Sequence, residues 1–142
     1  MRLKAALSSA FHYPQSWATE LSGGFGSERA MLMFAAGTCE GGISSRFRAA
    51  NFPCRRVDEQ FIPDLKGVIE TDDGPPSFCA YHGFGRPTPP GARQVVLSAT
   101  HMTSAPAYAW LNDTVCVGAG EVRSTDGGGE RRDKTSSSTS RP

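Results

Sequence analysis

The sequence predicts an all-β protein, either a sandwich or a barrel. Three observations carry that prediction. Glycine and proline punctuate the chain at short intervals, the apolar runs between them are short, and β-branched and aromatic residues are frequent in those runs. No amphipathic helix of useful length is visible after residue 22. Many short strands separated by regular turns bury their apolar faces as two packed sheets or as one sheet closed on itself.

The turn signals come in order as Gly23 with Gly24, Gly41 with Gly42, Asp73-Gly74-Pro75-Pro76, Gly83 to Gly91, and Ser104-Ala105-Pro106. Thr71-Asp72-Asp73-Gly74-Pro75 reads as a hairpin turn, with Asp side chains accepting backbone N–H bonds and Gly supplying positive φ. The first apolar run is Ala30 to Ala36. In Asp64 to Thr71, Asp64, Lys66, Val68 and Glu70 face one way, and Leu65, Gly67, Ile69 and Thr71 the other. Its charged face meets solvent in a sandwich, or lines the lumen of a barrel wide enough for a ligand. Ser77 to His82 follows. The clearest strand is Gln94 to Met102, where Val95, Leu97, Ala99 and His101 share one face. Thr114 to Val122 is the last, with Gly118 and Gly120 on one face; they permit either a sharp bend or a neighbour that needs room.

Length and charge exclude several classes. A chain of 142 residues suits one ordinary domain and is too short for a TIM barrel. Residues 124–142 contain no apolar side chain and are expected to be a disordered tail. The tail holds four basic and three acidic residues, so the other 123 residues hold eleven of each and are neutral. A neutral body does not attract phosphate backbones, so no nucleic-acid partner is expected. No run of eighteen apolar residues exists, so no spanning helix and no membrane partner are expected. The start of the chain has two early basic residues and a short apolar stretch, Ala5 to Phe11. Ser8 and Ser9 dilute it and His12 and Pro14 follow at once, so cleavage as an export signal is not expected. Cys39, Cys54, Cys79 and Cys116 are too widely spaced for a zinc site and too sparse for a disulfide scaffold. Four reduced thiols and a cytoplasmic setting are expected.

Three pieces then become recognisable: Thr71-Asp-Asp-Gly74 after a strand that begins at Asp64, Tyr108-Ala-Trp-Leu-Asn112, and Val115-Cys-Val-Gly-Ala-Gly120. Together they resemble domain of unknown function family 3237, also called uncharacterised protein family 0311, over roughly Met31 to Arg123. Tyr-x-Trp-Leu-Asn is the most specific piece. The resemblance implies a compact antiparallel up-and-down β-barrel of about eight strands and no established reaction. Residues 1–25 are then a divergent N-terminal segment or the first barrel strand, and residues 26–123 the barrel. The chain departs from the family pattern at Asn51 to Glu59, which lacks the usual Asp-Trp pair, and in its opening strand.

The candidate chemistry is cofactor-free. No serine elbow, metal triad or dinucleotide fingerprint is present, and Gly83-Phe-Gly-Arg-Pro lacks the lysine and the helix of a phosphate loop. Asp64, Glu70 and His101 are the candidate catalytic residues. His101, if its face is the interior, is either a proton shuttle or a core histidine with a satisfied hydrogen bond. Asp64 and Glu70 lie on one strand roughly 20 Å apart, so either pairs only with a group from another strand. A carboxylate buried in an apolar lumen works as acid or base; on the surface it is a salt-bridge partner. Tyr81, Arg93, Tyr108, Trp110 and Asn112 are the candidate substrate-binding residues. In a strand Tyr108, Trp110 and Asn112 share a face, giving an aromatic wall with an amide donor; the alternative makes Trp110 a core plug and Asn112 the start of a turn. Arg46, Arg48, Arg55 and Arg56 suit a carboxylate or phosphate, or a solvated strand face. The leading expectation is a small-molecule-binding barrel acting as a cofactor-independent isomerase or cyclase through proton transfer. The alternatives are a non-catalytic ligand-binding barrel and a dimerisation module, with a homodimer as the partner.

Overall fold

A computed structural model describes residues 4–42, 45–72, 74–88, 91–124 and 130–140, with side chains described for 7–42, 45–72, 74–88 and 91–123. The strands are β1 (Lys4–Gly23), β2 (Gly26–Gly41), β3 (Ser45–Asn51), β4 (Cys54–Arg55), β5 (Phe61–Ile62), β6 (Asp64–Glu70), β7 (Ser77–Thr88), β8 (Ala92–Thr103), β9 (Val115–Ser124) and β10 (Glu130–Ser140). A 3₁₀-helix, Pro106–Asp113, joins β8 to β9. All pairings are antiparallel. They run β7-β6-β3-β2-β1-β10-β9-β8, and β8 pairs again with β7, which makes the sheet a barrel. β4 and β5 sit outside that ring and join β7 where Phe61 faces Gly85.

The period-2 pattern sorts side chains as the sequence predicts. Val95, Leu97, Ala99 and His101 point inward from β8, while Val96, Thr100 and Met102 point out. Leu65 and Ile69 of β6 are fully buried, so the face with Asp64, Lys66, Val68 and Glu70 is the outer one. Phe47 is the centre of the core. Phe11 packs on it at 5.2 Å and Tyr81 stacks on it at 6.0 Å between ring centroids. Each such fully buried aromatic or aliphatic side chain contributes about 1.5–3 kcal/mol relative to exposure. Leu111 of the 3₁₀-helix is also fully buried and covers the end of the barrel where β8 finishes. At the other end the guanidinium of Arg93 lies 4.8 Å from the Phe61 ring centroid.

Three expectations change. The tail does not stay outside the fold: the backbone of Glu130–Ser140 pairs with β1 on one side and β9 on the other. An apolar side chain is not required for that, because two ladders of backbone hydrogen bonds satisfy the segment between two strand edges. Residues 125–129 and 141–142 of the expected tail fall outside the described part of the chain. Second, Gly83 and Gly85 are not turn residues but lie within β7. A Cβ at Gly83 would sit 2.0 Å from the Val96 carbonyl oxygen, so close approach of β8 explains the glycine. Third, Tyr108 to Asn112 is helical rather than extended, so Tyr108, Trp110 and Asn112 do not form one wall. Pro106 begins that helix, where its missing N–H costs nothing.

Other expectations hold. Of the opening segment, Lys4–Gly23 is β1, and residues 1–3 lie outside the described residues. Gly24 and Phe25 link β1 to β2 as a tight turn. Gly41 takes positive φ at the end of β2, as a glycine turn signal implies. Of the predicted hairpin turn after β6, Asp73 lies outside the described residues.

Candidate functional site

The predicted catalytic residues do not meet. His101 projects into the barrel and is only 8% exposed, with its ring edge-on to Tyr81 at 6.1 Å. Both ring nitrogens are buried and have no hydrogen-bond partner among the described residues. Burial disfavours the imidazolium and pushes the His101 pKa below its ordinary value of 6.5. Beside the ring, among Ser9, Tyr81, Leu97 and Gly118, lies a void of about 10 Å³, the size of one water molecule.

Asp64 and Glu70 lie on the opposite side of the sheet. Glu70 is held by Arg48 through a charge-assisted hydrogen bond, with Arg46 at 4.0 Å. The bond from Arg48 keeps the Glu70 carboxyl below its ordinary pKa of 4.5. Asp64 faces His82, whose Nδ1 is 3.6 Å from Oδ1, and its side chain is about half exposed. These carboxylates are therefore outer-face groups, and neither serves His101. The cause is parity: β6 places residues 64 and 70 on the face opposite Leu65 and Ile69, which fill the core.

The predicted binding residues separate in the same way. Tyr81 belongs to the aromatic core. Arg93 stacks on Phe61, and its Nη1 is buried without a partner among the described residues. Tyr108 packs against the core, and Trp110 lies at the surface. The Asn112 side-chain amide is consumed by backbone: its Oδ1 accepts from the Thr103 N–H at 2.8 Å and its Nδ2 donates to the Thr103 carbonyl at 2.9 Å. Asn112 thus fastens the helix to the end of β8 and offers no amide to a ligand. The thiols are equally quiet. Burial pushes Cys39 up to about 11 and Cys79 up to about 12, and it raises Cys116 as well. Those three stay protonated and unreactive; Cys54 is exposed. Among the described residues no three His, Cys, Asp or Glu side chains converge as a metal site.

What the strands do assemble is a groove on the outer face of β3, β6, β7 and β8, with a volume of about 440 Å³. The register builds it from two cross-strand rows. Arg48, Val68, Phe78 and Met102 form one, and Ala50, Lys66, Ala80 and Thr100 the next. Phe78 and Met102 stand up as an apolar ridge, exposed by 56% and 69%. The small side chains of Ala80 and Thr100 leave the depression beside it, and Lys66 supplies positive charge at one end, where the charge of Arg48 is taken up by Glu70. Lys66 forms no salt bridge among the described residues. Sequence reasoning placed Lys66 and Val68 together on a face but missed the pairing with Phe78 and Met102. The alternation in Ser77–His82 and Gln94–Met102 carried half of that signal; the register between strands carried the rest.

Fold and groove define an antiparallel β-barrel with an amphipathic outer surface. The solved structures it resembles are of the same class. A β-barrel-like protein from Acinetobacter baumannii AYE matches with a TM-score of 0.73 at 21% identity, over 96% of this chain and 95% of that one. A conserved protein of unknown function from Rhodopseudomonas palustris matches at 0.71 and 18% identity, over 96% of each chain. A protein of unknown function from Clostridium acetobutylicum ATCC 824 matches at 0.73 and 15% identity, over 96% of this chain and 99% of that one. At these identities the likeness is one of fold. No family model and no curated protein matches the chain. No described helix is long and apolar enough to cross a membrane.

Proposed function

We propose that this chain is a small-molecule-binding β-barrel whose outer groove takes an amphipathic organic anion, and that it is a member of domain of unknown function family 3237. The groove is the observation that carries the ligand reading. Its volume of about 440 Å³ falls within the range of small-molecule sites. Its apolar ridge suits a hydrocarbon body, and Lys66 suits a carboxylate head. The family reading rests on Thr71 to Gly74, Tyr108 to Asn112 and Val115 to Gly120. Four free thiols are the support for a cytoplasmic setting. Binding of this kind needs no cofactor.

An isomerase or cyclase would need its acid and base in one enclosed space. The outer position of Asp64 and Glu70, and the water-sized void at His101, weigh against that and favour binding without chemistry. Calorimetric titration of the full chain with decanoate and with decanol tests the reading. Decanoate is expected to bind more tightly than decanol. Lys66→Glu is expected to weaken decanoate by about threefold, and Met102→Asp by about tenfold through the lost apolar contact. Absence of decanoate binding, or binding indifferent to both substitutions, would overturn it.

A further inference from the structure

We infer that β1 and β2 extend a dimerisation arm, whose partner is the same arm of a second copy of this chain. β10 pairs with β1 only from Lys4 to His12, and β3 pairs with β2 only from Met33 to Cys39. Beyond those points, Trp17–Gly23 and Gly26–Leu32 pair with one another and with no third described strand. The register gives a ribbon roughly 25 Å long at the usual rise per residue. Every residue from Pro14 to Ala30 is exposed. An isolated two-stranded ribbon is marginal in water. This one also carries Trp17 and Leu32 on one face, with Leu21 further out, and Trp17 packs edge-on at 5.3 Å against Phe34, which lies where β3 already pairs with β2.

The two edges that no described strand pairs with differ, and the difference selects the partner. A two-fold axis through an antiparallel strand pair must set some residue opposite its own copy. On the β2 edge the central residue is Arg29, which would meet Arg29. On the β1 edge the central residue is Thr19, a neutral β-former. Pairing about Thr19 sets Trp17 opposite the second copy's Leu21, both on the apolar face, and sets Ser16 opposite Ser22. Glu20 is the single charge on this edge and lies opposite Arg29 within its own arm. No lysine or proline guards the edge between Gln15 and Gly23, although such guards are how exposed edges avoid pairing. The result is a four-stranded sheet of two arms, in which each copy covers the β1 edge of the other and sets Trp17 beside the other's Leu21 on one face. This inference is independent of ligand binding in the groove.

Sedimentation equilibrium of the full chain at micromolar concentration tests it, with circular dichroism confirming that each variant keeps its fold. Wild type is expected to be a dimer. Thr19→Lys and Thr19→Glu each place like charges across the axis, and each is expected to be a monomer with an unchanged spectrum. An equimolar mixture of the two is expected to regain the dimer. A monomeric wild type overturns the inference, whether or not the arm then binds lipid vesicles or another protein. Dimerisation that survives both substitutions also overturns it, because the interface then lies elsewhere.

Discussion

The two halves of β1 obey the same alternation and meet opposite fates. From Leu7 to Tyr13 every second residue is buried, because β2 and β10 flank the strand and the barrel supplies a far wall. From Pro14 onward the same chain is exposed on both faces. A bulge between His12 and Gln15 marks the change. Alternation therefore specifies which residues can share a face, and only enclosure turns a face into a core. Phe11 and Trp17 make the contrast concrete. Phe11 is 3% exposed against Phe47 and Tyr13, while Trp17 is 51% exposed against Phe34.

Substitutions in the two halves should separate accordingly. Phe11→Ala is expected to lower unfolding free energy by about 3–5 kcal/mol, read by urea denaturation; a loss under about 1 kcal/mol would mean that the first half is not core. Asn112→Ala is next, at about 1–3 kcal/mol, since it strands both polar groups of Thr103 where the helix closes the barrel. Amide hydrogen exchange at Thr103 should rise with it, while the arm's exchange stays constant. His101 contributes through pH. Its folded pKa lies below the unfolded value of 6.5, so the unfolded chain binds a proton that the folded chain refuses. Stability is then complete above about pH 6.5 and declines as pH falls through that value toward the folded pKa. His101→Leu should flatten this part of the profile. Glu70 acts lower: its stabilisation is present above its ordinary pKa of 4.5 and is lost as pH falls through the depressed folded value. The smallest effect belongs to the arm. Trp17→Ala should lower the stability of the monomer by about 0.5–1.5 kcal/mol through the lost edge-on contact with Phe34, while weakening self-association. A loss above about 2 kcal/mol would show that more of the arm than Trp17 packs on the barrel.

Much of the fold was legible in the sequence, and the reason is local. Alternation grouped Val95, Leu97, Ala99 and His101 on one face of β8 and separated Leu65 and Ile69 of β6 from Asp64 and Glu70, because the two-residue period depends on backbone geometry alone. Tyr108 to Asn112 misled because a five-residue aromatic segment fits a strand or a turn of helix, and only the docking of Leu111 into the barrel end decides between them. Gly83 read as a turn because glycine signals freedom; the strand uses it for closeness to Val96. Ser124 to Pro142 read as disordered because composition reports side-chain burial and says nothing of a vacant place between two strand edges.

The candidate site was less legible. Periodicity left open whether the face of Asp64, Lys66, Val68 and Glu70 was lumen or solvent, since either suits an alternating strand. The structure settled that by filling the interior with Phe11, Phe47 and Tyr81. Sequence alone thus determined the β class, the positions of most strands and which residues share a face, all consequences of a repeat two residues long. Tertiary structure decided which face is inside, which strands are neighbours and where His101, Lys66 and Met102 stand relative to one another. Those depend on register between segments distant in the chain, and no local periodicity encodes register.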